Sequence, residues 1–259
     1  MQISGLQKFT LLDYPGNISA IVFTQGCNFR CQFCYNPMLV WPVGSAPVQL
    51  GSRLKEVGKL KNTSSKKNEE NEKSHSFIKE SDFFQFLEKR AGKLDGVVIT
   101  GGEPTLQADL PEFARKIKKM GFKVKLDTNG TNPEMLKKML KEGLVDYLAM
   151  DLKGPQEKYD LITGANISFN KIKESIKIIL DGKVPYEFRS TLVPGLHAKE
   201  DIRKMGELIK TAEKWFLQAL KSEMDLVNPK LKGKKAFLKK EMEEFRKIGQ
   251  EFVKECKIR

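Results

Sequence analysis

Between Thr24 and Pro37 the chain reads TQGCNFRCQFCYNP, and three of its four cysteines, Cys27, Cys31 and Cys34, stand there in the spacing C-x-x-x-C-x-x-C. Thiols this close in sequence supply neither an even disulfide set nor a complete four-ligand cage, so the first expectation is metal chemistry. Structural zinc takes four ligands. His75 and His197 are the only histidines, so zinc would need a distant Cys256 or His197 recruited by folding. The alternative is an iron–sulfur cube held by three thiolates. One of its irons then lacks a protein ligand and keeps an open position, which marks a reactive site. Both readings stand at this point.

Other polar strings recur with similar regularity, and each closes an apolar, β-branched run. NISAIVFT (17–24) ends at the cysteine loop, LDGVVIT (94–100) at GGEP, FKVKLDT (122–128) at NG and VDYLAMD (145–151) at LKGP. VPYEFRSTLV (184–193) ends at PGLH, and KWFLQAL (214–220) is a sixth strand candidate. Between them lie amphipathic stretches, LPEFARKIKKM (110–120), NPEMLKKMLKEG (132–143), FNKIKESIKIIL (169–180) and EDIRKMGELIKTAEK (200–214), with apolar residues three and four apart. Pro111 and Pro133 suit first helical turns, and Gly121 and Gly143 suit helix ends. Alternation of strand and helix predicts parallel strands joined by right-handed crossovers. Six units make an α/β fold of the open, partial (βα)6 barrel kind rather than a closed eight-stranded barrel. The polar strings would then gather at the C-terminal ends of the strands, where such barrels place their chemistry.

The 259 residues are read as one domain, 1–259, interrupted at 44–75 by a Lys-, Asn-, Glu- and Ser-rich stretch taken as a flexible surface insertion, with FIKESDFFQFLEKRAG resuming as helix. Hydrophobic residues make up 40% and charged residues 31%, and no apolar run approaches a membrane span. The start lacks a signal-peptide pattern, so a cytoplasmic location with reduced thiols is expected. The net charge of +13 is spread over lysines interleaved with glutamates, which reads as a solvated surface rather than a nucleic-acid patch. Cys256 is read as a small apolar residue on a last strand, and Phe23, Phe29 and Phe33 as packing around the cysteine site. Asp127 and Asp151, at adjacent strand ends, read as pocket residues rather than helix caps.

With Phe33 before the third cysteine, C-x-x-x-C-x-aromatic-C resembles the signature of radical S-adenosylmethionine enzymes. The ordered strings GLQKFTLLDYPG, FTQGCNFRCQFCYNP, GVVITGGEPTLQ, GFKVKLDTNGTNP, LVDYLAMDLKGP, EKYDLITG and EFRSTLVPGLH are similar to the activating enzymes of glycyl-radical proteins, particularly the anaerobic ribonucleoside-triphosphate reductase activating proteins. The resemblance implies that Cys27, Cys31 and Cys34 hold a 4Fe-4S cluster whose fourth iron is chelated by S-adenosylmethionine. It also implies that Gly101 and Gly102 bring backbone to the methionine moiety, that Glu103 and Pro104 shape the turn, and that Asp127, Thr128 and Asn129 lie beside the cofactor. Asp151 and Lys153 would line the next strand end, with Lys153 facing the cofactor carboxylate and Arg189, Thr191 and His197 completing the pocket. In some activases the equivalents of Asp127, Thr128 and Asp151 help hold a monovalent cation. The implied chemistry is one-electron cleavage of the sulfonium, giving a 5′-deoxyadenosyl radical that removes hydrogen from a glycine of a partner enzyme, with a reduced flavodoxin- or ferredoxin-type protein as electron donor. Two alternatives remain: the same cofactor acting on a peptide, nucleotide base or other small molecule, and a non-catalytic metal or nucleic-acid module. Tyr35 departs from the family pattern, which often has histidine after the third cysteine.

Overall fold

The computed structural model describes residues 1–41 and 77–259, and the insertion expected at 44–75 lies outside them. The strands are β1 (Ile3–Thr10), β2 (Ser19–Thr24), β3 (Gly96–Gly101), β4 (Lys123–Thr128), β5 (Tyr147–Asp151), β6 (Tyr186–Leu192), β7 (Lys214–Ala219) and β8 (Glu255–Ile258). They form one sheet in sequence order from β1 to β8. From β2 onwards every neighbouring pair is parallel, whereas β1 lies antiparallel against β2.

The six strands expected from the apolar runs all form, and they make the partial barrel. Two edge strands extend it. β1 was not anticipated, because Gln7 and Lys8 interrupt its apolar pattern and its three consecutive exposed residues reflect an edge position. β8 carries Cys256, as expected of a last strand.

The helices are α1 (Pro37–Val40), α2 (Glu80–Glu88), α3 (Leu110–Lys119), α4 (Pro133–Lys141), α5 (Tyr159–Thr163), α6 (Phe169–Leu180), α7 (Lys199–Leu208) and α8 (Lys239–Gln250). Pro111 and Pro133 sit in first turns, and Gly121 and Gly143 follow helix ends with φ of +87° and +65°. α7 stops at Leu208, short of the predicted 214, because Lys214 already begins β7. α8 was missed, although Leu238, Met242, Phe245 and Ile248 carry a helical period. None of the helices described is long and apolar enough to cross a membrane.

The sheet separates two unlike layers. Ala20, Val22, Val97, Ile99, Val124, Leu126, Leu148, Met150, Phe188 and Leu192 face the helices and share one continuous core. Their strand neighbours point into the barrel, since side chains alternate along a strand. On β2 and β3 the inner face is apolar, with Ile21, Phe23 and Val98 grouped around Tyr14 and Tyr147. On β4 to β6 it is charged: Lys125 and Glu187 are essentially without solvent exposure, and Asp127, Asp151 and Arg189 follow above them. Burial of such groups is tolerated only when they are paired.

Candidate active site

The C-terminal strand ends enclose a cavity of about 640 Å³. Its wall includes Cys27, Cys31 and Cys34 from the loop after β2, Gly101 from β3, Asp127 and Asn129 from the β4 end, Asp151 and Lys153 from the β5 end, and Arg189 and Thr191 from β6. Ten of the cluster and cofactor candidates from the sequence thus meet in one place, together with Phe23, Phe29 and Phe33. Gly102, Glu103, Thr128 and His197 do not line it.

The cysteine loop is held from several sides. Gly26 N donates to Leu39 O at 2.8 Å and Cys27 N to Val40 O at 3.2 Å, which folds α1 back on the loop. Arg30 N donates to Thr163 O of α5 at 2.6 Å, and Val227 N reaches Cys34 O at 3.0 Å. Asn129 Nδ2 donates to Asn28 Oδ1 at 2.9 Å and approaches Cys27 Sγ at 3.9 Å. Burial pushes the Cys27 thiol up to about 11 and the Cys31 thiol up to about 12, and it raises Cys34 as well. Lys153 acts against the rise at all three.

The glycine pair is required by chain packing. A Cβ on Gly101, whose φ is +119°, would lie 2.2 Å from Thr24 N, and one on Gly102 would lie 2.0 Å from Gly26 O. The close approach that excludes a side chain is therefore to the end of β2 and the start of the cysteine loop, not only to a bound group. Gly102 N donates to Thr24 O at 2.9 Å and Glu103 N to Gly26 O at 2.8 Å, sealing that seam.

Glu103 caps the turn that begins at Pro104, and its carboxylate also reaches the end of β4. Its carboxylate accepts from Thr105 N at 3.1 Å, Thr105 Oγ1 at 2.5 Å, Thr128 Oγ1 at 2.8 Å and Asn129 N at 2.6 Å. Burial pushes this carboxyl up, against hydrogen bonds that favour the charged form. It is a buried brace that ties the turn after β3 to the end of β4 and thereby aims Asn129.

Across β4, β5 and β6 runs an alternating chain of charge. Lys125 Nζ donates to Asp127 Oδ1 at 2.5 Å, Arg189 Nη1 to Asp127 Oδ2 at 3.0 Å, Arg189 Nε to Asp151 Oδ1 at 2.8 Å and Lys153 Nζ to Asp151 Oδ2 at 3.0 Å. Burial would raise both aspartates, but Arg189, followed by the lysines, outweighs it and holds both below the ordinary carboxylate range. Burial would lower Lys153, yet Asp151 keeps it well above its ordinary value and so charged. Three cations face two carboxylates, leaving one net positive charge beside the thiols.

His197 is buried with both ring nitrogens engaged. Nδ1 accepts from Val193 N at 3.1 Å, and Nε2 lies 2.9 Å from Lys153 O. A carbonyl can only accept, so the proton is on Nε2. The ring also meets Phe33 edge to face at 6.5 Å. His197 therefore positions the backbone of Lys153 and the cysteine loop instead of contributing to the cavity wall.

Tyr35, the departure from the family pattern, lines the cavity too, and sequence reasoning overlooked Thr100, Gln218, Lys221 and Arg259, which also line it. Arg259 donates to Glu187 Oε1 at 3.0 Å and lies 3.9 Å from the Phe216 ring centroid. Alternation on β3 and β7 could have signalled Thr100 and Gln218, whereas Lys221 and Arg259 lie past the ends of β7 and β8. Both candidates for a distant fourth ligand are occupied elsewhere: His197 as described, and Cys256 on the helix side of β8, where a Cβ on Gly249 would lie 2.7 Å from its sulfur. Among the described residues, no three thiol, imidazole or carboxylate groups converge as the ligands of one ion. A cube places each thiolate on a separate iron and so accepts a wider triangle of sulfurs than zinc does.

Residues 21–209 match the family described as the Radical SAM superfamily. Across 99% of this chain and 95% of the relative, the sequence is 30% identical to a Methanocaldococcus jannaschii protein provisionally named a glycyl-radical enzyme activating enzyme. It is 28% identical to the pyruvate formate-lyase-activating enzyme of Streptococcus mutans over 81% of this chain and 72% of that one. The fold is similar to that of TYW1 with a lysine-pyruvate adduct bound, with a TM-score of 0.56 at 16% identity, covering 90% of this chain and 73% of the other.

Proposed function

Because the chain belongs to the radical SAM superfamily, and within it to the glycyl-radical enzyme activating enzymes, we propose that Cys27, Cys31 and Cys34 hold a 4Fe-4S cluster beside a site for S-adenosylmethionine. The observation that carries this reading is the meeting of three thiols from one loop with Gly101, Asn129 and Lys153 in a single cavity, while His197 and Cys256 are engaged elsewhere. The residues fit such groups. The thiols are soft donors with no fourth ligand beside them among the described residues, the glycine seam leaves backbone at the wall, and the net positive charge suits both an anionic cluster and a carboxylate.

When bound, the two groups supply reductive cleavage of a sulfonium C–S bond and a carbon radical able to remove hydrogen from a glycine Cα. The chain's own residues bind and orient. Lys153, kept charged by Asp151, would offer its ammonium to the methionine carboxylate, and Asn129, braced by Glu103, would offer its amide beside Cys27. Arg189 fixes the two aspartates and so fixes Lys153. Ile21, Phe23 and Val98 form an apolar part of the wall, which would disfavour water beside the reacting groups. A monovalent cation beside Asp127, Thr128 and Asp151 would have to share both carboxylates with Arg189 and the Thr128 hydroxyl with Glu103, and this reading needs none.

The partner is a glycyl-radical enzyme, with an anaerobic ribonucleotide reductase as the first candidate. A reduced flavodoxin- or ferredoxin-type protein in the cytoplasm would deliver the electron. Anaerobic reconstitution tests this. Iron and sulfide should bind in cluster ratio, 5′-deoxyadenosine should form from S-adenosylmethionine, and a glycyl doublet should appear by electron paramagnetic resonance once the right partner is present. A protein that assembles no cluster refutes the assignment.

A further inference from the structure

From Pro229 to Lys240 the chain reads PKLKGKKAFLKK, six lysines without an acidic residue, where elsewhere lysine alternates with glutamate. All six are exposed. Among the described residues Lys232 is paired with Asp225 at 2.7 Å, and the other five form no ion pair. None of the six lines the cavity.

These lysines stand on a fixed connection between β7 and α8. Leu226 and Leu231 are buried in the main core, Gly233 N donates to Ser222 O at 2.9 Å, and Ser222 Oγ donates to Lys234 O at 2.7 Å. The same connection is bonded to the cysteine loop. Besides the Val227 N bond to Cys34 O, Asn228 N donates to Gln32 O at 2.9 Å and Asn228 Nδ2 to Gln32 Oε1 at 3.0 Å. Lys230 follows two residues after Asn228, so a concentrated positive charge begins one hydrogen bond and three residues from the backbone of a thiol-bearing residue.

We infer that the exposed lysines from Lys230 to Lys240 are the docking surface for an acidic, reduced one-electron carrier protein, which passes its electron to the cluster beside Cys34. The inference rests on the cluster assignment above. One electron leaves the carrier and one arrives on the cluster, and no covalent bond forms or breaks. Charge and place together select this occupant. A patch of one sign raises the encounter rate of an oppositely charged protein by about 10–10³-fold at low salt. The glycine-bearing partner has to reach the cavity, which these lysines do not line. A nucleic acid would gain nothing from a patch bonded to the cysteine loop.

The experiment compares the wild-type full chain, reconstituted anaerobically, with a variant carrying Lys230→Gln, Lys234→Gln, Lys235→Gln and Lys239→Gln. Formation of 5′-deoxyadenosine, normalised to iron, is followed in two ways: with the cluster reduced in advance by dithionite, and with an oxidised cluster supplied by a reduced, acidic flavodoxin below saturation. Equal rates are expected after dithionite. With flavodoxin at low salt the variant should be slower by about tenfold or more, and the gap should close as salt rises. Equal rates with flavodoxin at low salt overturn the inference, as does a gap that salt leaves unchanged. Slower product formation after dithionite also overturns it, because the lysines then serve the site itself, and so does a lower glycyl-radical yield after dithionite, which would give the surface to the glycine-bearing partner. No product from wild type after dithionite overturns the cluster assignment instead. Should the fourfold variant lose iron, the single Lys235→Glu is expected to be about threefold slower with flavodoxin at low salt, and an unmoved rate there overturns the inference.

Discussion

Arg189 on β6 reaches over β5 to place Nη1 3.0 Å from Asp127 Oδ2 on β4, while its Nε binds Asp151 at 2.8 Å. One side chain thus binds three strand ends at the level of the cavity. Arg189→Met should destabilise the fold by roughly 3 kcal/mol at neutral pH, because two buried carboxylates lose a partner. The aspartates are depressed in the folded protein, so this contribution is fully present above about pH 4 and is lost as pH falls below it. Thermal melts of both proteins should differ most from pH 5 to 8 and converge in acid. A gap that stays constant to pH 2 contradicts the assignment.

Replacing Cys27, Cys31 or Cys34 by alanine should lower iron content and 5′-deoxyadenosine formation by more than about a hundredfold, beyond the 10–100-fold typical of losing an outer-shell partner. Cys256→Ala should leave both nearly intact, since that thiol packs on the helix side of β8. Iron analysis and product chromatography are the readouts.

Gly102→Ala tests the seam beneath the cysteine loop. A methyl group 2.0 Å from a backbone oxygen must displace the chain, with an expected loss of about 3 kcal/mol and poorer iron loading. Gly143→Ala, where φ is +65° and nothing lies nearby, should cost only about 1 kcal/mol with loading unchanged. Equal losses in denaturant unfolding would show that the seam is not what the glycine serves.

His197 predicts a pH effect at milder acidity. Burial lowers its affinity for a proton in the folded state, so the unfolded chain binds the proton more readily. Stability is then fully present above about pH 6.5 and declines as pH falls towards the depressed folded value. His197→Gln should cost about 2 kcal/mol at pH 7.5, where Val193 N and Lys153 O lose their partner, and should remove this part of the slope. Melting curves between pH 7.5 and 5 that fall in parallel for the two proteins would rule the role out.

The barrel was legible because its signals are local. Apolar runs of strand length, helical periods between them, and prolines and glycines at helix ends each depend on a few neighbouring residues, and the polar strings at strand ends follow from chain direction alone. β1 escaped because an edge strand can be polar on the side that faces water, and α8 because its period lies outside the motifs that drew attention.

The sequence by itself determined which residues could do chemistry: three thiols in one loop, the glycine pair, and charged side chains at successive strand ends. Only the tertiary structure decided how each polar atom is employed. Glu103 and His197 look like pocket residues in one dimension, yet contacts with Thr128, Asn129, Val193 and Lys153 engage their polar atoms in bracing. Lys125 looks like a surface charge, yet its place on β4 turns it inward, and the exposed Arg259 reaches the buried Glu187. The physical reason is that a buried polar group must find its partner, and the partners here come from segments far apart in the chain, so their pairing exists only once the strands are side by side.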